Sequence, residues 1–566
     1  MFIFINYLKT IGHLIFVIII IFFSTSQARN LDKFDNSDSI ADYFSGVLLL
    51  NQNQYKNSYD YFKRLEGLEK NHTTFSLKYL YSTINSRNFN QAFSFAKKLE
   101  KENKESFVSN FTIGIKHLKN SKFELASEYF LKAKNSNTNF LLNNYIAEYL
   151  YLWSNLKNLQ PYEAKLGLNR LGDRFENLNK IQNVFLNCYY GNSNIITIFD
   201  EFVSDKKTDF SRYNYFYATY LINSGQNKKG IEIINNSLKI YPRNLLLNQF
   251  KIDMQILKKK TSFNCKNEKD VIAEILYIAA NALASQSIYS LSNLYINFAK
   301  YLNNDFKAYD ILLAENLYDT KDFINAKDAY KKLSNYGSAY NWYSKKQLSR
   351  ILIQENDTPN SLKALREAYN DLPSKGVYET FDYADFLKNN KKFEEAIKYY
   401  SEVLNQIDKK HSLYPRAKDG RGVAYERAGH WKKAEKDLLD SLEISPNQAY
   451  VINYLAYSWI EKGIKINKSL SMLEKANKLK SNDPYIIDSL GWALYKLQRF
   501  EDSKEYLQLA VRLLPADPIV NDHYGDVLWK NGKEIQARYY WNYVINLEKT
   551  EEDLKKILKN KIINGL

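Results

Sequence analysis

Between residues 484 and 517, apolar side chains recur at a spacing near 3.6 along two successive stretches. The first opens at Pro484 and carries Ile487, Leu490, Leu494 and Leu497. After a short turn, the second carries Phe500, Tyr506, Leu507, Ala510 and Leu513 and ends at Pro515. Two amphipathic helices joined as a hairpin are predicted. The pattern repeats: Gly491 is followed by Gly525 34 residues on, and preceded by Ala456 35 residues back and by Gly422 34 before that. The small residue marks a crossing where a longer side chain would overpack by about 1–3 kcal/mol. Trp431 and Phe500 open second helices and are expected to fill the cleft between hairpins.

The same period runs near the N-terminus. Gly46, Leu80 and Gly114 lie 34 apart, each with an aromatic nine residues on (Tyr55, Phe89, Phe123) and a small residue three later (Ser58, Ala92, Ala126). Between 135 and 270 it blurs, with Ala147 and Ala218 as partial matches. From Ala280 through Ala314, Ser349 and Ala384 to Gly422, steps of 34 to 38 return. A helical-hairpin repeat of 34 residues, small at one fixed site and closed by Pro, resembles the tetratricopeptide repeat (TPR) family. The expected fold is all-α: a right-handed superhelical solenoid of about 14–15 hairpins. Expected boundaries are a first TPR block at 29–134, a degenerate helical region at 135–270, a second TPR block at 271–548 and a capping helix at 549–566.

Residues 1–28 read as a targeting segment. Lys9 precedes the mainly apolar run Ile11–Phe23, and Ser26-Gln27-Ala28 gives a small–x–small cleavage pattern. The expectation is a signal peptide and a periplasmic location, or, if uncleaved, an inner-membrane anchor facing the periplasm. No Cys near the cleavage point would accept a lipid. Cys188 and Cys265, the only two cysteines, lie 77 residues apart, so two buried free thiols are expected rather than a disulfide.

The formal charge of +16 and 15% aromatic content invite a nucleic-acid reading. The Tyr and Phe recur at repeat core positions and Lys is spread over most helices, so no nucleic-acid partner is expected. Six scattered His, without metal-ligand spacing, phosphate loop or nucleophile elbow, leave no catalytic residue, metal or cofactor to assign. A non-enzyme is expected. His523 beside Asp522 reads as a solvent or groove histidine, since adjacent helical residues do not face each other.

The TPR resemblance implies that first-helix residues line a concave groove. With the Gly or Ala as position eight, positions two, five, nine and twelve read Tyr450, Asn453, Tyr457 and Ile460; Tyr485, Asp488, Trp492 and Tyr495; Ile519, Asp522, Asp526 and Trp529. The candidate peptide-binding set is Asn453, Tyr457, Asp488, Trp492, Tyr495, Asp522, Asp526 and Trp529: aromatic anchors beside carboxylates and an amide. Trp492 and Trp529 could equally pack on a neighbouring helix.

The runs DPYIIDSLGWALYKLQRFEDS and DPIVNDHYGDVLW also resemble exported TPR-only proteins of proteobacteria, some of them adaptors of periplasmic carboxyl-terminal processing proteases. That resemblance implies a non-catalytic envelope scaffold or adaptor linking a protease to cell-wall enzymes. The alternative is an inner-membrane-anchored assembly factor of a secretion or cell-wall complex.

Overall fold

The computed structural model describes residues 37–136, 141–205, 210–256, 262–372 and 374–566; the targeting segment 1–28 lies outside them. Among the described residues there are 30 α-helices and no strands. Most follow one another as antiparallel pairs, the all-α solenoid architecture expected from the period, while Leu245–Ile256 packs instead against Ser338–Gln354. The described residues form two compact units, divided between Ala364 and Leu365. This division falls elsewhere than the 134/135 and 270/271 boundaries expected from the clarity of the repeat.

Most hairpins are turned through a residue in the left-handed region. Asn53, Arg87 and Ser121, spaced 34 apart, do this in the first three repeats; Gly429, Gly463, Gln498 and Gly532 do it later. The next amide donates back to the fifth residue before it, as in Asn88 to Thr83 O (2.9 Å) and Arg499 to Leu494 O (3.0 Å). This satisfies a carbonyl the helix end would leave bare. A left-handed conformation costs a side-chain-bearing residue about 1–2 kcal/mol, and glycine nothing. Gln498 has φ 61°. Gln498→Gly is expected to raise stability by about 0.5 kcal/mol, after the extra unfolded-state entropy of glycine is subtracted; a lower urea midpoint would contradict it.

The fixed small site is where the two helices of a hairpin touch. A Cβ on Gly491 would sit 2.7 Å from Leu507 Cγ, and one on Gly525 2.5 Å from Trp541 Nε1. The approach lets Ser503 Oγ donate to the Gly491 carbonyl (2.7 Å) and Ser58 Oγ to that of Gly46 (2.8 Å).

The second unit is regular. Its first helices are Val377–Asn389, Tyr414–Arg427, Ala449–Glu461, Pro484–Lys496 and Pro518–Lys530, each followed by a partner, and Glu552–Asn564 closes the array. That last helix buries Leu558 and packs Leu554 and Ile562 against the Trp541 cluster, as a cap should. Asp483 and Asp517 cap the two Pro-initiated helices through their side chains.

The first unit departs from a solenoid in which each repeat touches only its neighbours. The hairpin Glu268–Ala284 and Tyr289–Leu302 packs onto Thr73–Asn85, Phe107–Lys119 and Leu141–Ser154, so early repeats grip a later one. Phe111 lies 5.8 Å from Tyr295 and 5.7 Å from Phe298, ring to ring. Asn293 donates to Tyr55 Oη (2.9 Å), Asn297 to Asn85 Oδ1 (3.2 Å), and Tyr295 to Asn143 Oδ1 (2.8 Å). Each buried amide thereby finds a partner across the seam.

The expectation of two free thiols is corrected. Cys188 and Cys265 form a disulfide, with Cα atoms 6.0 Å apart. The chain before Glu268 doubles back because Phe263 inserts against Phe185 and Phe216, at 5.5 and 4.3 Å. Distance along the sequence was a poor guide to distance across the fold.

Candidate functional site

The first-helix face of the second unit is the candidate. Three successive helices, Ala449–Glu461, Pro484–Lys496 and Pro518–Lys530, each place the expected positions along it. Between the second and third, Asp488 presents both carboxylate oxygens 3.0 Å from His523 Nδ1. The His523 ring stacks on Trp492 (3.9 Å, 11°), and Trp492 stacks in turn on Tyr495 (4.6 Å, 4°). Trp492 Nε1 donates to Glu461 Oε1 at 2.7 Å, and Tyr457 approaches His523 at 6.5 Å. Burial opposes charge on His523, and the Asp488 carboxylate outweighs it, so its pKa is raised.

A second cluster forms at the cap. Lys561 donates to Asp522 Oδ1 (2.7 Å) and to Asp526 Oδ1 and Oδ2 (2.8 and 2.9 Å), and Trp541 Nε1 donates to Asp526 Oδ1 (3.0 Å). Burial and the neighbouring Asp522 push the Asp526 carboxyl up to about 6, against the pull of Lys561. Trp529, half-buried, lies 5.6 Å from Trp541 and under the Arg538 guanidinium at 4.5 Å.

Seven of the eight predicted residues therefore fall into three groups. Tyr457, Asp488, Trp492 and Tyr495 meet around His523; Asp522 and Asp526 meet around Lys561; Trp529 joins the cap. Asp488, Trp492, Asp522 and Asp526 are buried with internal partners. Asn453 stands apart: it is half-buried, and its Oδ1 meets no donor among the described residues. At position two of the same helices, Tyr450, Tyr485 and Ile519 remain 55%, 54% and 46% exposed, an apolar row along one edge. Ile460, at position twelve, is core.

His523, read from sequence as a solvent or groove residue, is instead buried and organises the first cluster. Its spacing 35 residues after Asp488, one more than the repeat, is the signal that pairs them. Lys561 and Glu461 were also missed. A lysine in a charged cap gives no sign of turning inward. Among the described residues no group of His, Cys, Asp and Glu is arranged to hold a metal ion.

The tetratricopeptide repeat family profile matches residues 303–550. A TPR repeat-containing protein of Pseudomonas aeruginosa is 27% identical over 177 residues, covering 31% of this chain and 29% of that protein. Another, from Methanocaldococcus jannaschii, is 23% identical over 330 residues and 55% of each chain. The chain thus spans well under two thirds of either relative's length. Among solved structures, a tetratricopeptide repeat protein from Parabacteroides merdae is similar at 14% identity, TM-score 0.37, over 44% of this chain and 97% of that one. MamA from Desulfovibrio magneticus is similar at 19% identity, TM-score 0.27, over 31% and 97%. Residues 303–550 of this chain belong to the tetratricopeptide repeat family.

Proposed function

We propose that the protein is a non-catalytic scaffold or adaptor of the bacterial cell envelope that holds an extended peptide segment along the first-helix face of its second unit. The observation that carries the reading is the combination at positions two and five. Tyr450, Tyr485 and Ile519 form an exposed apolar row, and the Asn453 carbonyl beside it is buried without a donor. An extended peptide supplies what both lack: side chains to cover the row and, once the Asn453 side chain turns outward, a backbone N–H for its amide oxygen. The buried clusters around His523 and Lys561 would hold that face rigid and lower the cost of ordering it on binding. Export rests on the Lys9, Ile11–Phe23 and Ser26–Ala28 pattern. The adaptor role, joining a processing protease to cell-wall enzymes, rests on the resemblance of residues 453–541.

The test uses variants that leave the clusters intact. Tyr485→Ala with Ile519→Ala is expected to keep the wild-type melting temperature and to lose partners captured from native envelopes. Peptides tiled from those partners should bind wild type at least tenfold more tightly than the variant. Equal affinity for both proteins would sink the proposal.

A further inference from the structure

The seam of the first unit opens into two adjoining clefts, of about 450 and 290 Å³, which share Arg87, Asn297, Lys300 and Asn304. Their walls are strongly cationic. Lys56, Arg87, Lys300, Lys307 and Lys332 line the larger cleft, against the carboxylates Asp310 and Asp328; Lys119 joins Arg87 and Lys300 in the smaller, which no carboxylate lines. Lys300 lies at the bottom, its side chain 13% exposed and paired with Asp310. Burial and the charges of Arg87, Lys307 and Lys332 all work against its ammonium. Arg87 and Lys119 bond across the seam, to Asn297 Oδ1 and to the Leu302 carbonyl, but the convergence of the remaining like charges on the cleft costs stability unless something fills it.

The remaining walls suit a hydroxylated carrier. Asn297 Oδ1 accepts from Arg87 Nε at 3.3 Å and its amide nitrogen donates to Asn85, which fixes the amide in place, while Asn304 is exposed at the mouth. Phe89 and Tyr301 lie 4.3 Å apart at 32° and give the smaller cleft an apolar wall. Arg87 is held at the opening by its left-handed turn position.

We propose that this cleft binds a phosphorylated saccharide, with the phosphate among Arg87, Lys300, Lys307 and Lys332 and the sugar against Asn297, Asn304 and the Phe89–Tyr301 wall. A phosphate dianion neutralises several cations at once, and guanidinium can meet it with two parallel hydrogen bonds. The combined space exceeds what an inorganic anion fills, and amides and an aromatic face are the groups that hold sugar hydroxyls and the ring. The site is separate from the peptide-binding face and stands whether or not that face binds peptide.

The experiment is calorimetric titration of the full chain with glucose 6-phosphate, inorganic phosphate, glucose and a hexa-aspartate peptide. Glucose 6-phosphate is expected to bind one to one, more tightly than inorganic phosphate, with glucose silent. Lys300→Met should weaken it at least tenfold. Because that change removes the cation paired with Asp310 and leaves it only the Tyr336 hydroxyl, the rim pair Lys307→Gln with Lys332→Gln, which leaves the seam untouched, should weaken it at least fivefold at an unchanged or higher melting temperature. Absence of binding at millimolar sugar phosphate, affinity indifferent to the rim pair, or tighter binding of the acidic peptide would overturn the assignment.

Discussion

Lys561→Met is expected to lower the stability of the second unit by about 3–5 kcal/mol at pH 7.5, because it strands two carboxylates that the fold has taken out of water. Asp522 and Asp526 are 7% and 5% exposed, and Lys561 is the cation that meets both. The apolar side of the cap, Leu554, Leu558 and Ile562, is retained, so the helix stays docked and the loss reports the charges rather than a missing element. The deficit should depend on pH in one direction. Asp526 already has a folded pKa of about 6, above its unfolded value. A carboxyl of that kind costs stability once ionised and costs nothing once protonated, so stability falls as pH rises between the two values. Removing the cation raises the folded value further. The variant should therefore approach wild type as pH falls from 7.5 towards 5, in urea unfolding followed by circular dichroism. A loss below about 1 kcal/mol, or one constant over that range, would show that the carboxylates find other partners.

What the sequence disclosed and what it withheld divide along one physical line. The 34-residue period is legible because the hairpin is local: Gly491 must face Leu507 and Gln498 must turn the chain whatever the rest of the protein does. The first-helix positions follow from that register, so the residues that share a face could be named. Whether a face is open could not. The grip of the early repeats on Tyr289–Leu302 depends on pairs such as Asn85 and Asn297, which are 212 residues apart and leave no periodic trace. The Cys188–Cys265 bond has the same origin. At the candidate site, the reading of His523 failed because it compared His523 with its sequence neighbour Asp522. The partner that matters, Asp488, comes from the preceding repeat. Aromatic and acidic positions in a groove and in a buried seam look alike in one dimension; Trp492 and Tyr485 sit on the same helix and differ in exposure from 7% to 54%.

That contrast yields the second large effect. Trp492→Ala is expected to destabilise the second unit by about 3–5 kcal/mol. Its ring is stacked between His523 and Tyr495, and its indole N–H is the donor to Glu461. Truncation leaves a cavity beside the Asp488–His523 pair and removes one donor from Glu461, at the end of the preceding repeat's first helix. Tyr485→Ala, seven residues earlier, removes a ring that is more than half in solvent and should cost under about 1 kcal/mol. Trp492→Phe separates the two parts of the Trp492 effect, since it keeps an aromatic face for His523 and loses only the Glu461 hydrogen bond and some volume. It should recover more than half of the loss measured for Ala, because stacking and burial contribute more here than one half-exposed hydrogen bond. If Trp492→Ala melts like wild type while losing partner capture, the ring is a ligand anchor and the seam closes without it. If it melts far lower, as this packing requires, Trp492 is a wall of the site, and the residues that touch a partner lie along the exposed edge of Tyr450, Tyr485 and Ile519.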